Sequence, residues 1–156
     1  LCGIAHYDFR LRRGYSYEQA FTVMRRLRLP YSQAQEMFRR MVFNVVARNQ
    51  DDHTKNISFL MDESGAWRLS PAYDMGYAYN PSGFWTATHQ MSINGKFDGV
   101  TRKDLLECAA SNNIKNAAEI IDQVSEAASR WTGIAKECGV PRNMIDNIKS
   151  NLLLNI

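Results

Sequence analysis

A mainly α-helical fold with one small β-hairpin is what this sequence predicts, and three observations predict it. Apolar residues recur at helical spacing through five segments. One turn signal, Asp62-Glu63-Ser64-Gly65, sits between two short apolar runs. The chain has 156 residues, 45% hydrophobic and 22% charged, which is the size and composition of one domain with its own core, spanning residues 1–156.

The elements follow in order. Residues 1–15 are basic and without periodicity. Ser16 lies three before Gln19, the spacing of a capping box, and Phe21, Val23, Met24 and Leu27 then mark a helix up to Leu29. Pro30 interrupts it. Ser32 and Gln35 repeat the cap signal. The broad apolar face of Ala34, Met37, Phe38, Met41, Val42, Val45 and Val46 predicts a second helix, packed in the core and ending near Arg48 or Asn49. Ile57–Met61 and Ala66–Leu69 read as the two strands of the hairpin. Residues 76–100 read as a long loop with one strand, Gln90–Ile93, closed by Asn94-Gly95. Thr101 with Asp104 caps a helix that carries Leu105, Leu106 and Ala109. Asn116 with Glu119 caps a longer one running to Gly139, and Pro141 starts a last helix with Met144, Ile145 and Ile148 inward.

No window approaches 18 apolar residues, so no membrane span is expected, and no secretory leader pattern opens the chain. Cys2, Cys108 and Cys138 are odd in number and widely spaced. A disulfide scaffold or zinc knuckle is therefore not expected, and buried thiols in a cytoplasmic protein are. The net charge of +3 is uneven. Residues 1–50 carry nine arginines against Asp8, Glu18 and Glu36, whereas residues 51–156 carry ten basic against thirteen acidic residues. Such an arginine-rich first third either meets phosphate, nucleic acid or an acidic partner, or forms the solvated face of two helices.

The chemistry concentrates in RNQDDHTKNISF, residues 48–59, where a core helix stops and a strand begins. The hairpin that follows can return Asp74 to the neighbourhood of Asp51. Asp51, Asn56 and Asp74 are hard oxygen donors of the kind that suit Mg²⁺ or Mn²⁺. A carboxylate beside a metal-bound phosphate can take the proton of an attacking hydroxyl, and phosphoryl transfer otherwise needs positioning and charge neutralisation. The five-residue step from Asp51 to Asn56 is that of the kinase catalytic loop, H-R-D-x-x-x-x-N. Lys55 can offset phosphate charge. Against this, Asp, Asn and Ser at a helix-to-strand junction often only cap ends and form turns. His53 reads as a scaffold residue whose ring fixes the loop by hydrogen bonds, or as a general base. Asp52 is ambiguous, because adjacent residues in a loop rarely both face one site. Lys96 reads as a solvated turn lysine or as one that reaches a phosphate or acidic group.

The stretches SYEQAFTVMRRLRLPYSQAQEMFRRM, FNVVARNQDDHTKNISFLMDESGAWRLSPAYDM and HQMSINGK resemble the HipA-like serine/threonine kinases, the toxin kinases of bacterial toxin–antitoxin modules. The resemblance runs over nearly the whole chain. It implies a kinase-like C-terminal, catalytic lobe that uses ATP and Mg²⁺ and modifies a protein substrate. It further implies Asp51 as the catalytic aspartate, and Asn56 and Asp74 as magnesium ligands that complete the catalytic set. Asp74 matches the acid of a kinase D-F-G motif, although the local sequence is Tyr73-Asp74-Met75. His53 and Lys55 match positions that support the nucleotide phosphates.

Residues 1–50 hold no G-x-G-x-x-G and no V-A-I-K-like strand, so the nucleotide-covering N-terminal lobe is expected to be absent from these 156 residues. The chain also opens on Leu1, as a piece of a longer protein would. By itself it is expected to be weak or inactive. A DNA-binding antitoxin is the partner that the resemblance implies, with any DNA association indirect. An interaction module bound to DNA or antitoxin, and a metal-dependent phosphohydrolase using water in place of the protein hydroxyl, are the competing readings.

Overall fold

The computed structural model describes residues 1–156. Its elements, in chain order, are α1 (Cys2–Ala5), β1 (Tyr15–Ser16), α2 (Tyr17–Arg26), α3 (Tyr31–Val46), a 3-10 turn (Thr54–Asn56), β2 (Phe59–Met61), β3 (Trp67–Leu69), β4 (Met91–Ser92), α4 (Arg102–Ser111), α5 (Ala117–Ser129), α6 (Trp131–Glu137) and α7 (Arg142–Asn151). The fold is mostly helical, with two small two-stranded sheets.

The core gathers around α3. Met37, Phe38, Met41, Val42, Val45 and Val46 are buried along its predicted face, and they meet Phe21 and Met24 of α2 and Ile120, Ile121 and Val124 of α5. Burying side chains of this size contributes roughly 1.5–3 kcal/mol each before ordering costs, which explains why a half-apolar helix holds the centre. The capping box of α2 forms as predicted. Ser16 accepts from the Gln19 amide at 3.2 Å, and Gln19 Oε1 accepts from the Ser16 amide at 2.8 Å.

Several expectations are corrected. α3 begins two residues earlier than Ser32 and Gln35 suggest, with Pro30 as its N-cap, because the proline's fixed φ of −65° already sets the entry. The expected helix from 117 to 139 is two, broken at Arg130. Asn116 does not cap α5 with its side chain; it accepts instead from Gln35 Nε2 at 2.6 Å. On α4 the inward set is Leu105, Cys108 and Ala109, while Leu106 lies outward. On α7 only Ile145 is buried, and Met144 is about half exposed at 51%. Of the three free thiols only Cys108 is buried; Cys138 is exposed. Burial pushes the Cys108 thiol well up, so it stays protonated.

The hairpin forms where expected, with Phe59 opposite Leu69 and Met61 opposite Trp67. Asp62 Oδ1 accepts from the amides of Ser64 and Ala66 at 2.9 and 3.0 Å, and Gly65 supplies the positive φ of 83° that the turn needs. No helix is long and apolar enough to cross a membrane. The predicted strand around residues 90–93 is short and pairs in parallel with β1, matching Tyr15 to Met91 and Ser16 to Ser92. Asn94 and Gly95 turn it tightly, with Ile93 and Lys96 exchanging two 2.9 Å bonds.

Lys96 reaches an acidic group. Its Nζ lies 2.9 Å from Asp104 Oδ2, which also caps α4 through the Thr101 amide at 2.8 Å and hydroxyl at 2.6 Å. Burial of Asp104 opposes its ionisation, yet these bonds and one from Asn94 outweigh it and hold the carboxyl well below the usual carboxylate range. A depressed folded-state value stabilises the protein above the unfolded carboxylate range, near pH ~4, and that stability is lost as pH falls further. Asp104→Asn is therefore expected to lower the melting temperature at pH 7, with the difference from wild type shrinking in melts taken toward pH ~2.

Candidate functional site

α3 ends in a Schellman-type turn that begins the site. The Asn49 amide donates to the Asn44 carbonyl at 2.9 Å and the Arg48 amide to the Val45 carbonyl at 3.3 Å. Arg48 takes the left-handed conformation usually given to glycine, φ 56°, with its guanidinium 3.8 Å from the centre of the Tyr79 ring. Asn49 and Ala78 then form an isolated parallel bridge, so residues 48–50 run beside residue 78 like a strand. Gln50 is fully buried, and with its amide nitrogen turned toward residue 86 it donates to the Thr86 and Ala87 carbonyls at 2.9 and 3.2 Å. These bonds fasten the long loop after the hairpin onto the polar cluster.

The two adjacent acids separate as sterics require. Asp52 points inward, only 3% exposed, and accepts three bonds: from the Tyr17 hydroxyl at 2.8 Å, the Gln90 amide at 2.8 Å and His89 Nδ1 at 2.9 Å. It therefore fixes the loop. Burial, then the Asp52 charge, push the Tyr17 phenol well above its usual value, so it remains a hydrogen donor. Asp51 is half-buried, and its carboxylate accepts no bond from the protein. Its carbonyl accepts from the His53 amide and from Asn56 Nδ2, both at 2.9 Å.

Asn56 and Asp74 line one recess of about 20 Å³ together with Tyr17, Asn44, Asn49 and His53. That is room for one water or a bare ion. Asn56 uses its amide nitrogen on Asp51, which leaves its oxygen without a protein donor; the exposed Asp74 carboxylate is likewise free. Two hard oxygen donors, one neutral and one anionic, fit a divalent cation that keeps waters and takes further ligands from a substrate. Asp51 lines a neighbouring recess of about 200 Å³ with Phe9, Arg10, Trp85 and Gln90, and His53 borders both. Thus Asn56 and Asp74 are brought together across the hairpin, and Asp51 stands beside them, tied to Asn56.

His53 does not fasten the loop through Nδ1, which is buried without a partner; Asp52 holds the loop in its place. The ring packs edge-on to Phe9 at 6.2 Å. Lys55 is exposed, with Nζ 4.1 Å from the centre of the Phe9 ring. Tyr73 donates to the Lys55 carbonyl at 2.5 Å and shares a short contact with the Ser58 hydroxyl, closing the hairpin's base. Several arginines of the first third bond to other parts of the fold, although none is buried and Arg10, Arg13, Arg25, Arg26 and Arg28 are exposed. Arg25 donates to Asn112 at 2.7 Å, Arg39 to Gln123 at 2.9 Å, and Arg12 and Arg48 lie over aromatic rings.

Sequence reasoning missed Tyr17, Asn44, Asn49 and His89. Only Asn44 left a trace, as an amide beside the apolar face of α3. The others become neighbours only through long-range folding.

The sequence profile described as HipA-like C-terminal domain matches residues 1–132. The serine/threonine-protein kinase toxin HipA of Shewanella oneidensis MR-1 is 35% identical over 65 residues, covering 42% of this chain and 15% of that protein. The solved complex of HipA, HipB and operator DNA from the same organism contains a chain that superposes with a TM-score of 0.71 at 22% identity, over 92% of this chain and 35% of that one. The present chain thus spans a minor part of the length of both relatives. With its site loop, hairpin and Asp74 all inside the matched region, the chain belongs to the HipA-like C-terminal domain family.

Proposed function

We propose that these residues form the kinase-like catalytic lobe of a toxin-type protein serine/threonine kinase, which transfers the γ-phosphoryl group of ATP to a protein hydroxyl with Mg²⁺. The observation that carries this reading is the shared recess of Asn56 and Asp74, with Asp51 bonded to Asn56 and its carboxylate free. Asn56 and Asp74 would hold the metal, whose charge neutralises phosphate oxygens when it is bound. Asp51 orients the acceptor hydroxyl and takes its proton as the oxygen–phosphorus bond forms and the bond to ADP breaks. His53 Nδ1, free of protein partners, and Lys55 support the phosphates.

Incubating the complete protein with labelled ATP, Mg²⁺ and a cell extract tests the reading. Labelled protein is the expected product. Phosphate release with no labelled protein would make the site a phosphohydrolase and overturn it. The 156 residues alone are expected to bind ATP–Mg²⁺ weakly, and micromolar binding with autophosphorylation in calorimetry and gel assays would refute that part.

The solved relative sits with an antitoxin and operator DNA. We extend this to a DNA-binding antitoxin partner in the cytoplasm, with DNA association indirect, through that partner.

A further inference from the structure

The geometry points to Tyr17, Asn44 and Asn49 as positioning residues: a buried relay from Asp52 that sets the backbone of Asp74, and with it the stance of the carboxylate assigned above to the metal. The metal part rests on the proposed function; the backbone part does not.

The relay follows from donors and acceptors. Tyr17 gives its single hydroxyl proton to Asp52 at 2.8 Å, so its oxygen is left to accept, and Asn44 Nδ2 donates to it at 2.8 Å. That turns Asn44 Oδ1 toward Asn49, whose Nδ2 donates to it at 2.9 Å. The same nitrogen uses its second hydrogen on the Asp74 carbonyl, at 3.2 Å. Every amide orientation is thereby fixed from the Asp52 end, and all four side-chain positions lie between 1% and 7% exposed.

The far end is what makes this more than core packing. Asp74 is exposed and left-handed, φ 55°, a conformation that aspartate tolerates without preferring. The bond from Asn49 is the only hydrogen bond in which Asp74 takes part. Without it Asp74 would be held only through its neighbours, Tyr73 bonded to the Lys55 carbonyl and Ala78 bridged to Asn49. A buried network that spends both hydrogens of Asn49 Nδ2 thus ends, at the recess, on a residue with no other hydrogen-bond partner of its own.

The test uses the complete protein with a non-hydrolysable ATP analogue and counts bound Mn²⁺ by electron paramagnetic resonance. Asn49→Leu, which removes both donors, is expected to weaken Mn²⁺ binding about 10–100-fold, the scale for lost partners behind metal ligands. Tyr17→Phe keeps the ring and is expected to weaken it about tenfold. Excess metal should restore the transfer rate in both. Asp104→Asn, which destabilises elsewhere, should leave the affinity unchanged. In the metal-free protein, the Met75 amide signal in NMR should shift in Tyr17→Phe. Folded Asn49→Leu and Tyr17→Phe proteins with wild-type Mn²⁺ affinity, beside an Asp74→Asn that loses it, would overturn the relay's role. If Asp74→Asn itself binds Mn²⁺ normally, the proposed metal role has failed, and the Met75 signal alone decides the relay: unmoved, it refutes it.

Discussion

Replacing Asp51 by asparagine in the complete protein is expected to slow phosphoryl transfer about 10²- to 10⁴-fold, the range for losing a positioned general base. Asparagine keeps the shape and the carbonyl that accepts from the His53 amide and Asn56 Nδ2 at 2.9 Å, so the loop should hold. The carboxylate itself accepts nothing from the protein, and its loss should leave the melting temperature within a degree or two, roughly the effect of a neutral surface change. Asp74→Asn is expected to be similarly damaging and similarly benign to the fold, because the Asp74 carbonyl, not its carboxylate, is what Asn49 holds. Transfer rates measured beside thermal melts separate the two effects. Full activity in either variant would remove the basis for the kinase assignment.

Asp52→Ala should do the reverse, unfolding the site before any question of chemistry arises. Its carboxylate has three protein partners, and removal strands the Tyr17 hydroxyl, the Gln90 amide and His89 Nδ1 in a region where each is at most 6% exposed. Stripping one partner from a buried charged cluster costs about 3–5 kcal/mol. For a protein of this size that corresponds to a fall of roughly 6–20 °C in melting temperature. A fall of under about two degrees would show that Asp52 is dispensable and that the loop is held by Gln50 and the backbone alone. The neighbouring acids, 51 and 52, should therefore give opposite phenotypes, one kinetic and one structural.

Much of the helical architecture was legible because helix periodicity is local. Met37, Phe38, Met41 and Val42 declare their shared face within two turns, and the capping boxes at Ser16 and Thr101 are four-residue signals. The hairpin was legible for the same reason, since Asp62 and Gly65 make its turn from their own chemistry. Predictions failed where two local signals competed. Pro30 overrode Ser32 as the start of α3, and the apolar spacing through Arg130 hid a break between two helices.

The sequence by itself determined which oxygen-bearing side chains the chain possesses around residues 51–56 and at 74, and that a core helix and a hairpin bracket them. Only the tertiary structure decided that Asp52 and not His53 secures the loop, and that Asn56 and Asp74 open onto one recess. The reason is range. A cap or a turn is decided within a few bonds, whereas Asp52 finds Tyr17 35 residues before it and His89 37 residues after it, contacts that no local spacing encodes.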